Sequence, residues 1–509
     1  MIAYHYARTE EHGEAAEWLE RAGDRAAGVY ANETALDNYE GARKRLELSG
    51  AAPIALAQVG EKLGGVLATL NRYDEALEVL ERTVEVFRDA RDLEAVARVT
   101  ALIGWTHRYR GTPQEGIARI QPVLDLVTWS GPSEGLASLH LALAYLHFGS
   151  GKYHESVEAA ERAEELARAA GDGQTLGGAM MRRGTALTLV GQMEEGVKIL
   201  EDSIPLLEAA GDLSALAIGL NNLAANYQSK GELKAAWERG SQALATHERV
   251  GNTASIGFVD LGLGEINVYM GEWEEAEVSI ERGGTVLQAV GASWYAPFAP
   301  LHRGHLSIRQ GRWDEAPKEL KDAIALAEPI GELQALDTAN WLLSELEIRE
   351  GRPRDAVNRL DLQMAQNGPF LAALLTNRAW GELALGDVES ASETIKRAQS
   401  AAEEQNQRLQ MPDILRVQGM IFARQERWEE AHAAFLEAIS MARVMPYPYV
   451  EGCALYEQGL AYAEQGEAEK GERCLNAALE IFSRIGALKD VELTELELGR
   501  LNQPAARTR

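Results

Sequence analysis

Apolar residues recur three and four positions apart along most of the chain, in stretches of roughly 14–17 residues whose other positions are polar or charged. That spacing predicts amphipathic α-helices. In Glu14 to Tyr30 the apolar face is Ala15, Trp18, Leu19, Ala22 and Ala26, and a second helix is expected from Asn32 to Leu48, with Asn32 as its cap. Breaks follow every 20 residues. One break, usually a glycine, falls at 71, 111, 151, 191, 231, 271, 311 and 351. The other falls halfway, at Gly131, Gly171, Gly211, Gly251, Gly291 and Gly331. A 40-residue unit made of two helices, repeated without slippage, predicts a solenoid of stacked helical hairpins.

Turn and cap chemistry agree with this. Gly171-Asp172, Gly211-Asp212 and Gly251-Asn252 each place a residue tolerant of left-handed backbone where one helix ends, then a side chain able to cap the next. Acid pairs such as Glu194-Glu195, Glu274-Glu275 and Asp314-Glu315 open second helices, where negative charge complements the helix dipole. Small residues recur too. Seven positions before the marker stand Gly64, Gly104, Ala144, Gly184, Ala224, Gly264, Gly304 and Ser344; five after it stand Ala76, Gly116, Ser156, Gly196, Ala236, Ala276, Ala316 and Ala356. Glycine within a helix costs about 1 kcal/mol against alanine, so close contact between helices is expected there.

This pattern (small residue, glycine seven on, aromatic two further, alanine three further) resembles the tetratricopeptide (TPR) repeat. It is carried most fully by Gly264, Gly271, Trp273 and Ala276. The 40-residue length resembles the longer TPR units of bacterial signalling ATPases and maltose-type transcription activators. The resemblance covers residues 54–485. It implies an all-α, α-α superhelix, a right-handed TPR-like solenoid of about eleven hairpins. Residues 1–53 are expected to be a degenerate N-terminal cap, 54–366 the regular array, 367–500 further repeats after one shortened unit, and 501–509 a flexible tail. Asn367-Gly368-Pro369 predicts a seam, and Met445-Pro446-Tyr447-Pro448-Tyr449 stands where a midway glycine is due. The opening text, Ala3-Tyr4-His5-Tyr6-Ala7 with Ala16 to Gly23 and Tyr30 to Ala35, resembles the junction between ATPase module and TPR array in bacterial multidomain ATPases, including those with a cyclase domain. That implies a C-terminal sensor or scaffold region whose nucleotide site lies elsewhere.

Composition narrows the partners. A net charge of −28 disfavours nucleic acid. Cys453 and Cys474 form no disulfide framework and fit a reducing, cytoplasmic compartment. No apolar run approaches the roughly 18 residues of a membrane span. Candidate chemistry is sparse. There is no phosphate-binding glycine–lysine loop, and Gly262-Leu263-Gly264 lacks the rest of a dinucleotide fingerprint. His302 and His305 share a helix face but have no third ligand near them in sequence. The chain is therefore expected to be non-catalytic, with no cofactor and no metal.

What remains is surface. By the TPR resemblance, first helices line a concave groove through positions one after and three before the small residue. Carried over, these supply Trp105, Tyr145, His305 and Trp380, and Met181, Asn221 and Trp341; one turn further come Arg108, Phe148 and Gln228. Aromatic rings and amides at these places suit a protein or peptide ligand, although the same rings are equally placed to pack between layers. Arg183, Arg303 and Arg378 precede small residues and are expected to pair with acids between layers, an anion-binding face being the alternative. A stand-alone peptide-sensing regulator and a self-associating scaffold are the alternative readings.

Overall fold

The computed structural model describes residues 11–29, 31–127, 131–291, 293–364 and 370–501. Among them are 25 α-helices and no strand. They form twelve antiparallel hairpins: a first one, His12–Ala27 with Asn32–Ser49, then eleven from Pro53–Thr69 with Tyr73–Asp89 to Pro448–Glu464 with Ala468–Ile485. A single helix, Leu488–Leu501, follows. The seam at 367–370 falls largely, and the tail at 501–509 almost wholly, outside the described residues.

The turns form as their residues dictate. Gly171, Gly211 and Gly251 have φ of 75°, 69° and 77°, the left-handed region that glycine enters without steric cost. Asp172, Asp212 and Asn252 then accept the backbone N–H of Thr175, Ala215 and Ser255 at 3.0, 3.0 and 3.2 Å. Asn32 departs from expectation. It is the first helical residue after Ala31, and that helix end has no side-chain cap.

Within each hairpin the two small-residue series face each other. An added Cβ on Gly184 would lie 2.8 Å from the Gly196 carbonyl oxygen, and one on Gly196 would lie 2.7 Å from that of Gly184. Gly459 and Gly471 repeat this crossing. At the next level of contact a large side chain sixteen residues on fills the space over the glycine: Leu80 over Gly64, Ile120 over Gly104, Ile280 over Gly264, Leu320 over Gly304, Phe435 over Gly419. These large residues are at most 1% exposed, each contributing roughly 1.5–3 kcal/mol of burial. One hairpin inverts the sizes. Ala224 faces Gly240, and Leu263 of the following hairpin fills the vacated room.

The chain divides into two compact units, Met1–Gly219 and Leu220–Arg509, with the boundary inside the helix Leu213–Ser229. The core of the first includes Val84, Phe87, Val96, Ile103 and Leu139. The core of the second joins Ile280, Leu320, Leu342 and Leu346 to Tyr447, Tyr449 and Phe482, residues distant in sequence. The cause is a return of the chain within this unit. Met445 packs on Gly231, Pro448 and Ile485 on Gly271, and Leu488 and Lys489 on Gly311, so three successive hairpin turns are covered by C-terminal chain.

Candidate functional site

The sequence-derived candidates fall into two places, one in each unit. In the first unit, Trp105 and Arg108 of the helix Leu93–Arg110 meet Tyr145 and Phe148 of the helix Glu134–Gly149. The Trp105 and Tyr145 rings are 4.5 Å apart. Arg108 stacks on Tyr145 at 4.3 Å, and Arg182 covers Tyr145 at 3.9 Å and Phe148 at 4.2 Å. Tyr145 is buried, whereas Trp105, Arg108 and Phe148 are half-buried and Tyr109 beside them is exposed. Arg182 is buried and burial pulls its pKa down. No carboxylate lies within ion-pair distance of Arg108 or Arg182 among the described residues. By contrast Arg183 pairs with Glu164 at 3.2 Å and Arg378 with Asp361 at 3.0 Å, each across to the preceding hairpin as expected, whereas Arg303 pairs with Glu319 at 3.2 Å within its own hairpin. Met181 does not join the face. It is fully buried, because three positions before the small residue the helix points into the neighbouring layer. Leu141, Leu261 and Leu301 are buried in the same way.

In the second unit two cavities lie mainly among first helices, and the last hairpin and helix line the smaller of them. Asn221 and Gln228 line a cavity of about 260 Å³ together with Gln334, Gln407, Glu265 and Tyr269. Leu409 and Gln410 line both this cavity and a second one of about 180 Å³. The second is bounded by Trp341, Trp380, Tyr447, Tyr456, Cys453 and a network of arginines and acids. His305 lies within the wall, its ring edge-on to Tyr269 at 5.5 Å and to Trp341 at 5.9 Å. It is buried, and burial keeps its pKa well below the usual histidine value. His305 is therefore a packing residue, not an exposed groove residue; Trp341 is also buried but keeps an edge on the cavity. His302 is buried beside Phe298, and no group of three or more metal-ligating side chains occurs among the described residues.

The charged network holds this wall together. Arg309 grips Glu345 with both terminal nitrogens, at 2.5 and 3.0 Å, and stacks on Tyr449 at 4.4 Å. Arg349 pairs with Asp490 of the last helix and also donates to the Tyr449 hydroxyl. Arg416 pairs with Asp413 at 2.7 Å and lies 4.5 Å over Trp380. Burial would raise the pKa of Glu345, but Arg309 and its neighbours outweigh it and hold the carboxyl below its ordinary value. Burial pushes the Cys453 thiol up to about 12, so it is no nucleophile at neutral pH. The sequence reading missed Arg309, Arg349, Arg416, Tyr447, Tyr449 and Asp490. A signal existed in Arg309 and Arg349: both stand two residues before the marker, where earlier units carry uncharged residues such as Tyr269, Ser229 and Leu189.

Family models agree on the repeat class. Tetratricopeptide-repeat models match residues 376–448 and 416–484, and another matches residues 137–169. A model of anaphase-promoting complex subunit 5 matches residues 55–108 and 284–350. The chain thus carries tetratricopeptide repeats in both units. No curated protein matches it. Among solved structures, a complex of the anaphase-promoting complex subunits Cut9 and Hcn1 aligns over 95% of this chain and 90% of that one, at 13% identity and a TM-score of 0.49. A Rap protein complexed with competence and sporulation factor aligns over 77% of this chain and 99% of that one, at 13% identity and a TM-score of 0.44. BtubC from P. vanneervenii aligns over 43% and 92%, at 16% identity and a TM-score of 0.37.

Proposed function

We propose that this chain is a non-catalytic TPR-type scaffold and sensor that takes an acidic protein or peptide segment on the aromatic–arginine face of its first unit. The observation that carries this is the stack of Trp105, Arg108, Tyr145, Phe148 and Arg182. Two guanidinium groups lie against its rings without a carboxylate partner, in a chain whose net charge is −28. Half-buried Arg108 is the cation an incoming carboxylate can reach, buried Arg182 backs the rings beneath it, and the half-buried rings offer apolar area beside it. The repeat matched at residues 137–169 carries Tyr145 and Phe148. Among the described residues no helix is long and apolar enough to cross a membrane.

In a wider setting, the similarity of residues 3–35 to an ATPase–TPR junction supports a regulatory region of a larger bacterial signalling ATPase or cyclase, acting in the cytoplasm. A stand-alone peptide-sensing regulator would use the same face, and self-association is the rival use of the array. Selection from a random peptide display library tests the face. Peptides enriched in Asp or Glu beside an apolar residue should bind wild type and lose at least about tenfold in affinity for the Trp105→Ala/Arg108→Ala variant, whose melting temperature stays near that of wild type. Selected peptides that bind the variant equally well, or a library that yields none, would overturn the assignment.

A further inference from the structure

The smaller cavity of the second unit carries an unbalanced charge. Three arginines line it, Arg309, Arg349 and Arg416, and four acids, Glu345, Asp413, Glu457 and Asp490. The close pairs described above assign Arg309 to Glu345, Arg349 to Asp490 and Arg416 to Asp413. Glu457 is left over. Its nearest cation is Arg416 Nη1 at 3.8 Å, a group already held by Asp413 and stacked on Trp380. No hydrogen bond reaches the Glu457 carboxylate among the described residues. Its side chain is only 17% exposed, and burial raises its pKa. A carboxylate this little exposed, whose one ion pair among the described residues is a long contact to a guanidinium already held by Asp413 and which accepts no hydrogen bond from them, is poorly satisfied.

The surroundings of Glu457 define what would satisfy it. Trp341, Trp380, Tyr447 and Tyr456 line the same space with Leu409, Val450 and Leu493. Aromatic faces carry negative charge density and attract cations, while the aliphatic side chains favour an apolar body. An anion would enter a cavity already one negative charge in excess, and a neutral ligand would leave Glu457 with only its long contact to Arg416. We propose that this cavity binds a small organic cation, a protonated amine on a compact apolar or aromatic body, with Glu457 as its counter-charge. At about 180 Å³ the space suits a molecule of benzylamine size rather than a peptide. The last helix, Leu488–Leu501, supplies Asp490, Leu493 and Thr494 to the wall, so occupancy bears directly on how the C-terminal chain is seated in this unit.

Three probes of one shape separate the charge requirement from simple cavity filling: benzylamine, benzyl alcohol and benzoate, titrated into the whole chain near neutral pH. Calorimetry and tryptophan fluorescence would follow binding, with Trp341 and Trp380 lining the site. Benzylamine should bind saturably, and each of the other two at least about tenfold more weakly. Glu457→Gln, close in shape, should lose about tenfold or more of the benzylamine affinity. Equal binding of benzoate or benzyl alcohol, undiminished benzylamine binding by folded Glu457→Gln, or no saturable binding up to millimolar benzylamine would each overturn the proposal. The selectivity among probes is read on wild type alone, so it stands even if the variant does not fold. The site lies in the second unit and the peptide face in the first, so either assignment can fail without the other.

Discussion

Glycines that look alike in the repeat do different things at the residue scale. Gly264 and Gly262 stand two apart on one helix. A Cβ on Gly264 would lie 2.6 Å from Ile280 Cγ1 and 3.3 Å from the Ala276 carbonyl oxygen, whereas one on Gly262 meets nothing within 4 Å. Gly264→Leu should therefore overpack the hairpin and lower stability by about 1–3 kcal/mol. Gly262→Ala should raise stability by up to about 1 kcal/mol through helix propensity. Urea denaturation of the two variants checks the difference, and equal effects would mean that the hairpin crossing is not tight. The small-residue positions were legible in the sequence because they recur in register. The inversion at Ala224 and Gly240 was not, since the group that fills the gap, Leu263, belongs to the next hairpin.

At the scale of the element, the glycine marker turns read the same, yet they divide into two kinds. Gly151 has φ 72° and nothing near its missing Cβ; Gly271 has φ 79° and would place a Cβ 2.7 Å from Pro448 and 3.1 Å from Ile485. Replacing either by alanine incurs about 1–2 kcal/mol of left-handed strain. Only Gly271→Ala should add a clash with the returning chain, about 1–3 kcal/mol more. Thermal melts of the two variants should show the larger loss of Tm for Gly271→Ala; equal losses would mean the returning chain does not press on that turn. Glu426, at φ 59°, shows that a non-glycine residue is tolerated in a marker turn. The groove residues were legible only in part for a related reason. Register assigns a face of the helix, and that face is open in Trp105 and Arg108 but covered in His305, where Tyr269 and Trp341 lie against it.

Across the whole molecule, buried and half-buried neutral histidines set a pH dependence. Burial lowers the pKa of His107, His140, His147, His247, His302 and His305, that of His140 to about 4. Unfolding lets each bind a proton below its ordinary value of 6.5, so the histidine contribution is complete above that pH and is lost as pH falls below it. Asp260, Asp337, Glu332 and Glu457, whose pKa burial raises, act in the opposite sense nearer the carboxylate range. His140→Asn isolates one term. Between pH 6.5 and about 4 wild type should lose stability relative to the variant by up to ~1.4 kcal/mol per pH unit. Parallel stability–pH curves from urea denaturation would show that half-buried His140 is not held neutral by the fold.

Helix periodicity, turn glycines and small residues are local signals repeated many times, and repetition made the hairpin array and its register readable from the chain alone. The return of residues 445–490 onto the turns at Gly231, Gly271 and Gly311, and the charged cavity it encloses, join positions more than a hundred residues apart. Such contacts leave no period behind them. They depend on how small rotations between successive hairpins accumulate, and only the folded second unit brings Arg349 to Asp490 and leaves Glu457 with no closer cation than Arg416 at 3.8 Å.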